Sequence, residues 1–367
     1  MKRSTRRILS LLLSTCMTIA LLTSCSSNTG SGGTNSNSNT PSDSGSADPG
    51  KTYELSFTIH DPATSSKTQK YDELAAAVKE ATNGAVNITV FSGGTLVAST
   101  DVADMVEGGG ADMGWLFTTF FPGQFPLTEV ISLPMVFTDS ITATKTLLAL
   151  YEQSPDLQEE LSRYKILSLY CNPINYVYSN KPVHTVEDMA GQQLRAPSGV
   201  PTDMLTAWGA VPVMQGPGDV YQSVEKAVLD GCTFEWSGFD DFRLWEVIKT
   251  CTEIPVYCGI FLTVMNHDSY NNLPAEYQEI LDEIWGSYDV SLEFAQVFMD
   301  DFEEAYANAD AAGMEIIVPD EEALAGFQVA ADQYIADWVT KNTTDSFDAQ
   351  AYLDLMLELK AEAEAEA

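Results

Sequence analysis

Short apolar segments and helical segments alternate along this chain, and the alternation constrains the fold more than any other feature. From Tyr53 onward, segments rich in aromatic and β-branched residues (YELSFTIH, VNITVF) are separated by helical patterns that stop at glycine. The stretch from Thr185 to Gly231 then has the order strand, turn, helix, strand, helix. This order predicts an α/β protein with a mostly parallel sheet, whose strand ends and loops form the binding crevice.

Arg195 lies at the end of a predicted strand in the segment QLRAPSG, directly before a turn that Pro197 and Gly199 favour. An arginine there presents a planar pair of N–H donors, and a carboxylate is its best-matched partner. Only two other arginines, Arg163 and Arg243, follow the first seven residues. We expect Arg195 to face an open cleft and bind a ligand carboxylate; the alternative is a surface ion pair with one of the many acids.

Three segments of this region resemble the DctP-type solute-binding proteins of tripartite ATP-independent periplasmic (TRAP) transporters. The segments are VEDMAGQQLRAPSG, with Asp188, Gly191 and Arg195; AWGAVPV, with residues 209–213; and DVYQSVEKAVLDG, ending at Asp230 and Gly231. The likeness extends from about Tyr53 to the helices beyond Tyr277. It implies an α/β two-lobed, type II-like periplasmic-binding-protein clamshell with long C-terminal helices. It also implies that Arg195 is the arginine that clamps the solute carboxylate.

The N-terminal residues indicate export. A basic start, an apolar run from Ile8 to Leu22 and the motif LTSC resemble a lipoprotein signal in which Cys25 is lipidated; the alternative is ordinary secretion. We therefore predict four parts, with a hinge near Asn172 and Cys258. They are a lipoprotein signal peptide (1–24), a disordered Ser/Gly/Asn tether (25–50), lobe I (51–171 plus 259–300) and lobe II (172–258 plus 301–367).

The predicted function is capture of a small carboxylate-containing solute between the lobes and its delivery to the membrane subunits of a TRAP transporter. The protein would be an extracytoplasmic monomer, anchored to the cell membrane by its N-terminal lipid. The formal net charge of −35, from 53 acidic and 18 basic residues, disfavours nucleic acid as a partner.

An enzyme is not expected, and neither is a cofactor or a metal site. The three histidines are scattered, and no G-x-S-x-G, H-E-x-x-H or nucleotide-binding glycine motif occurs. Two alternatives stay open: a ligand-sensing clamshell subunit of a membrane receptor, and a secreted carboxylate-dependent hydrolase.

Six further residues are candidates for the ligand site: His60, Trp115, Asn175, Tyr221, Phe234 and Trp236. His60 and Trp115 end predicted lobe I strands, where they would hydrogen-bond to the solute and stack on it. Phe234 and Trp236 would wall a pocket for a flat, apolar acid. For all four of these residues the alternative is an ordinary structural place, in the core for the aromatic rings.

Two departures from the family pattern bear on the solute. Asn175 occupies the position at which relatives that bind sugar acids have a second arginine, and the run after Gly231 lacks the family's asparagine. The resemblance therefore disfavours a sialic-acid-like ligand.

Four cysteines follow the N-terminal segment: Cys171, Cys232, Cys251 and Cys258. They permit two disulfides in three pairings, and they equally permit buried free thiols.

Overall fold

Strands and helices alternate along residues 50–366, which the computed structural model describes except for the side chain of Glu303. The strands are β1 (Tyr53–Thr58), β2 (Val86–Phe91), β3 (Met113–Phe117), β4 (Lys165–Ser179), β5 (Gln193–Ala196), β6 (Val211–Met214), β7 (Gly231–Phe234), β8 (Thr250–Met265) and β9 (Glu315–Ile317). The α-helices are α1 (Ser66–Ala81), α2 (Val102–Glu107), α3 (Ser140–Gln153), α4 (Pro155–Leu161), α5 (Val200–Ala207), α6 (Val220–Glu225), α7 (Trp236–Asp241), α8 (His267–Asn271), α9 (Ala275–Trp285), α10 (Tyr288–Ala311), α11 (Glu321–Asn342) and α12 (Ala349–Ala365). The predicted signal peptide and Cys25 lie outside the described residues.

The strands form one mixed sheet in which two parallel units flank a pair of long antiparallel strands. The sheet order is β2-β1-β3-β8-β4-β7-β5-β6, and β9 pairs with β8. β1 is parallel to β2 and β3, with α1 and α2 as the connecting helices. β5 is parallel to β6 and β7, with α5 and α6 as the connecting helices. These two parallel units are the centres of the two lobes, and the α/β prediction is confirmed.

The long strands β4 and β8 connect the lobes. β8 pairs with β3 of the first unit, and β4 pairs with β7 of the second. The register between β4 and β8 shifts between Cys171 and Ile174 and again between Asn175 and Val177. Such irregularities bend a strand pair, and these lie where the sequence places the hinge; the hinge motion itself stays a prediction.

The C-terminal helices pack on both lobes. α10 contacts α3 and β4 as well as α7. α12 packs against α3, and its buried face shares one apolar cluster with the α3 residues Leu147 and Leu150. The buried α12 residues are Ala349, Tyr352, Leu353, Met356, Leu359 and Ala363. The predicted assignment of residues 301–367 to lobe II does not anticipate this packing, since the apolar face of α12 covers a helix of lobe I.

The four cysteines of residues 50–366 are buried free thiols in the structure. Within the same range, none of the helices has both the length and the apolar character needed to cross a bilayer. The described residues also contain no group of three or more His, Cys, Asp or Glu side chains that could hold a metal ion.

Candidate ligand-binding site

One cavity lies where the two lobes meet the crossing strands. Its space free of protein atoms is about 420 Å³, and part of this space is open solvent. Its walls come from the end of β1, from β3, β5 and β7, and from the bend of β4 and β8. Most lining residues are apolar, and the polar ones are His60, Asp61, Asn172, Asn175, Arg195 and Glu235.

The guanidinium of Arg195 enters the cavity from β5, the central strand of the lobe II unit. Its Nε donates to the carbonyl oxygen of Gln215 at 3.0 Å, and its Nη1 donates to that of Thr233 at 3.4 Å. Its central carbon lies 4.9 Å from the ring centroid of Phe234, in a cation–π contact. These contacts hold the group in place and leave Nη2 without a hydrogen-bond partner among the described residues.

Arg195 is a buried cation without a carboxylate partner in residues 50–366. Only 3% of the residue is exposed, which corrects the expectation that it faces an open cleft. Burial lowers the pKa of its guanidinium, and the ionisable groups that act on it are Tyr257 and Cys232. An arginine nevertheless remains charged. An anion that entered this cavity would therefore meet an uncompensated positive charge in a desolvated place.

The lobe I wall of the cavity is a stack of rings. The centroids of His60 and Trp115 are 4.6 Å apart, with an interplanar angle of 20°. Trp115 stacks on Phe261 at 4.4 Å, and Phe261 stacks on Phe117 at 4.6 Å. The antiparallel register of β3 and β8 pairs Phe117 with Phe261, which brings the rings together. The stack gives the cavity a rigid apolar side that suits a flat, apolar solute.

His60 is neutral in this environment. Its side chain is 9% exposed, and its Nδ1 is buried without a hydrogen-bond partner. Burial lowers the pKa of the imidazole to about 3, and the positive charge of Arg195 adds to the effect. A neutral imidazole has one N–H donor and one acceptor nitrogen, and in His60 the buried Nδ1 atom is left without a hydrogen-bond partner.

Two carboxyl groups also line the cavity. Asp61 accepts one hydrogen bond, from the Ser65 hydroxyl at 3.3 Å, and burial raises its pKa to about 7 against the opposing effect of Lys67. Glu235 caps α7 by accepting from the backbone N–H groups of Ser237 and Gly238, both at 2.6 Å, and burial raises its pKa also. The cavity thus contains one cation and two acidic groups.

Residues 57–342 match the model of a family described as bacterial extracellular solute-binding protein, family 7, or DctP. The chain belongs to this family. Solved structures of TRAP solute-binding proteins have the same two-lobed fold. One, from a marine metagenome and specific for aromatic acid ligands, contains metahydroxyphenylacetate; its TM-score is 0.80 at 23% identity, over 85% of this chain and 99% of that one.

A second solved structure, from Rhodoferax ferrireducens with copurified benzoate, has a TM-score of 0.80 at 21% identity, over 86% of this chain and 99% of that one. A curated relative, a monocarboxylate 2-oxoacid-binding periplasmic protein of Nostoc sp., is 26% identical over 57% of this chain and 58% of its own length. The alignments with the first three curated relatives span 58–65% of those proteins.

The structure of this solute-binding protein brings five of the seven predicted ligand residues to the cavity: His60, Trp115, Asn175, Arg195 and Phe234. Trp236 and Tyr221 do not line it. β7 ends at Phe234 and α7 begins at Trp236, so the two aromatic residues do not share a face, and Trp236 packs in the lobe II core beside Tyr178. Tyr221, on α6, donates its hydroxyl to Glu246 at 2.8 Å.

Sequence reasoning missed other residues of the cavity, among them Asp61, Asn172, Tyr257 and Phe261. Asp61 directly follows His60, so the strand-end argument that selected His60 could also have included it. Asn172 and Tyr257 lie at the bend of the crossing strands, where the sequence predicts a hinge but does not single out these two side chains as ligand residues. Phe261 belongs to the apolar run of β8, in which nothing distinguishes a cavity residue from a core residue.

Proposed function

We propose that this DctP-type protein captures a small monocarboxylic acid with a flat, apolar body in the cavity between its lobes. It then delivers the acid to the membrane subunits of a TRAP transporter. The observation that carries the proposal is Arg195, a buried guanidinium without a carboxylate partner among residues 50–366, held by two backbone carbonyl groups at an aromatic cavity. A bound carboxylate would complete its hydrogen bonding and neutralise its charge.

The charge of the chain makes a local site of this kind necessary. With a formal net charge of −35, the protein repels anions at long range. Binding of an organic acid must therefore depend on short-range contacts to a concentrated positive group, and Arg195 provides one. The stacked rings of Trp115 and Phe261 would contribute apolar contact with the body of the solute.

Three of the relatives support an acid of this class. The two solved neighbours are described with metahydroxyphenylacetate and with benzoate, and the Nostoc relative is described as binding monocarboxylate 2-oxoacids. Each of these ligands has one carboxylate. The aromatic wall of this cavity favours the ring-bearing acids over the aliphatic ones.

Arg195→Gln tests the proposal. Loss of the main partner of a desolvated carboxylate costs roughly 2–5 kcal/mol, which is about 30-fold or more in affinity. Arg195→Lys should recover only part of it, because an ammonium cannot form the planar pair of bonds. Calorimetric titration with benzoate and related acids measures the loss, and circular dichroism checks that the variants fold.

Arg243→Gln is the matched control for Arg195→Gln. Arg243 is an exposed arginine that pairs with Glu246 at 2.5 Å and does not line the cavity, so its replacement should leave the affinity unchanged. Equal affinities of the Arg195→Gln and Arg243→Gln variants would contradict the assignment of Arg195.

The anchor is a separate part of the proposal. The lipoprotein-like segment LTSC and the Ser/Gly/Asn-rich residues after it indicate lipidation at Cys25 and a tether to the cell membrane. In cells, Cys25→Ala should release the protein from the membrane fraction or block its processing. A variant that remains in the membrane fraction and is processed normally would contradict the anchor.

A further inference from the structure

Two polar groups at one part of the cavity have unused hydrogen-bonding capacity. The Nδ1 atom of His60 is buried without a hydrogen bond, and the carboxyl group of Asp61 accepts only the 3.3 Å bond from Ser65. Both residues follow β1 and line the cavity. A polar atom of a ligand would satisfy what the protein leaves unsatisfied there.

This pair lies in a different electrostatic environment from Arg195. The ionisable groups that act on Arg195 are Tyr257 and Cys232, whereas Lys67, Asp241 and Glu235 act on Asp61. His60 is close enough to Arg195 to be influenced by its charge. Arg195 enters the cavity from β5 of lobe II, whereas His60 and Asp61 follow β1 of lobe I, so the guanidinium and the carboxyl group of Asp61 belong to walls that come from different lobes.

Resting on the proposed function, we infer that the cavity selects a monocarboxylate that has a hydrogen-bond donor, such as a hydroxyl group, at the end opposite its carboxylate. Arg195 binds the carboxylate, the ring lies against the aromatic wall, and a carboxylate oxygen of Asp61 accepts the single hydrogen of the hydroxyl group. His60 Nε2 is the ring nitrogen beside Asp61, at 3.8 Å from Oδ1. With its proton on Nε2, His60 has Nδ1 free as an acceptor.

The same arrangement disfavours a second carboxylate. The positive charge of Lys67 acts on Asp61, but Lys67 is already bonded to Asp241 and Asp301 and does not line the cavity. A second carboxylate at this end would face Asp61 and Glu235 without a positive partner. Burying a charge in that situation is strongly unfavourable.

Matched aromatic acids test the inference. The first set is benzoate, 3-hydroxybenzoate and benzene-1,3-dicarboxylate. Phenylacetate and 3-hydroxyphenylacetate form a second pair, in which the carboxylate is one methylene group farther from the ring. Titrations at pH 8.5 keep Asp61 ionised, since its pKa is about 7. A hydrogen bond to a charged acceptor predicts that the better-fitting hydroxylated acid binds about 10- to 100-fold more tightly than its parent. The dicarboxylate should bind about 100-fold more weakly than benzoate, or worse.

Asp61→Asn should reduce both the gain in affinity from the hydroxyl group and the loss in affinity from the second carboxylate. The asparagine keeps an acceptor oxygen but removes the negative charge. Asp72→Asn, on the exposed face of α1, makes the same change in net charge away from the cavity and should alter neither. The inference is overturned if the added hydroxyl group and the second carboxylate do not change the affinity, or if they change it equally in the wild type and in Asp61→Asn. Binding of benzoate that depends on Arg195 would still support the proposed function in that case. If none of the acids binds, or if binding ignores Arg195→Gln, the proposed function fails, and the inference fails with it.

Discussion

Replacement of Lys67 by methionine is expected to destabilise the ligand-free protein by about 3 kcal/mol. The ammonium group of Lys67 donates to Asp241 at 2.6 Å, to Asp301 at 3.2 Å and to the Ser237 hydroxyl at 3.3 Å. Lys67 is in the first turn of α1, while its carboxylate partners are on α7 and α10. One buried charge, whose side chain is 1% exposed, therefore joins three helices across the two lobes.

The magnitude follows from the burial of the cluster. Removal of one member of a buried charged group costs roughly 3–5 kcal/mol, because its partners keep their charges. The side chains of Asp241 and Asp301 are 17% and 29% exposed, so water compensates part of the loss, and the lower end of that range applies. Methionine replaces the lysine side chain as far as Cε and retains an apolar contact with Phe298, whose ring centroid lies 5.0 Å from the ammonium group. At about 2 °C per kcal/mol for a chain of this size, Tm should fall by roughly 6 °C.

Thermal and urea unfolding at pH 7.5, followed by circular dichroism, measure the effect. Lys70→Met is the matched control, because Lys70 is on the same helix and pairs with Glu293 at 2.6 Å, in a pair whose side chains are 23% and 51% exposed. Exposed pairs contribute about 1 kcal/mol or less, so the control should unfold within about 2 °C of the wild type. If Lys67→Met is as stable as Lys70→Met, the buried cluster does not stabilise the fold and the reasoning is wrong.

Two further predictions concern the backbone and pH. A Cβ atom at Gly231 would overlap the carbonyl oxygen of Tyr178 in the β4–β7 ladder, so Gly231→Ala should lower the free energy of unfolding in urea by about 3 kcal/mol. Gly218→Ala is the control, because no atom lies within 4 Å of the added Cβ, and it should cost about 0.5 kcal/mol or less. Equal urea midpoints for the two variants would refute this prediction. The pKa of Asp61 is about 7 in the folded state, above its ordinary 3.8. The contribution of Asp61 to the free energy of unfolding is therefore complete below about pH 4 and is lost as the pH rises through 7. The loss is at most about 1.4 kcal/mol per pH unit. The groups around that carboxyl are His60, Lys67, Glu235 and Asp241. Asp61→Asn should therefore show a flatter decline in unfolding free energy between pH 5 and 7 than the wild type, and parallel declines would contradict the assignment.

The sequence predicts most strands of the two parallel units because their signals are local. Apolar and β-branched segments mark β1 and β2, and the segment around Arg195 marks β5, but β7 directly after Gly231 is not predicted. The crossing strands were harder to predict. β4 is one strand of 15 residues, whereas its pattern predicts a strand at Lys165–Cys171 and a separate segment at Asn175–Ser179, because the bend interrupts the periodicity. The packing of α12 on α3 depends on a long-range contact that no local pattern encodes.

The ligand site could be predicted only in part, for a similar reason. Arg195 and His60 were found because each lies at a predicted strand end, and Phe234 because it adjoins the run after Gly231. Trp236 does not line the cavity with Phe234 because the strand ends at Phe234 and a helix begins at Trp236, a change that the sequence analysis does not predict. Burial and missing partners cannot be seen in a sequence, and among the described residues these properties identify Arg195 as a buried cation without a carboxylate partner.

The distribution of charge connects the stability of this protein with its selectivity. At one part of the cavity, Arg195 is a cation without a carboxylate partner among the described residues; at the other, Asp61 and Glu235 lie near the single ammonium group of Lys67. The first part is suited to a carboxylate, and the second, already rich in negative charge, is suited to a hydrogen-bond donor. Because Lys67 limits the repulsion among the acids, its loss should weaken the fold and also make the donor end less tolerant of negative charge. An acidic surface and a site for an anion are compatible in one chain because the two kinds of charge are kept in separate places.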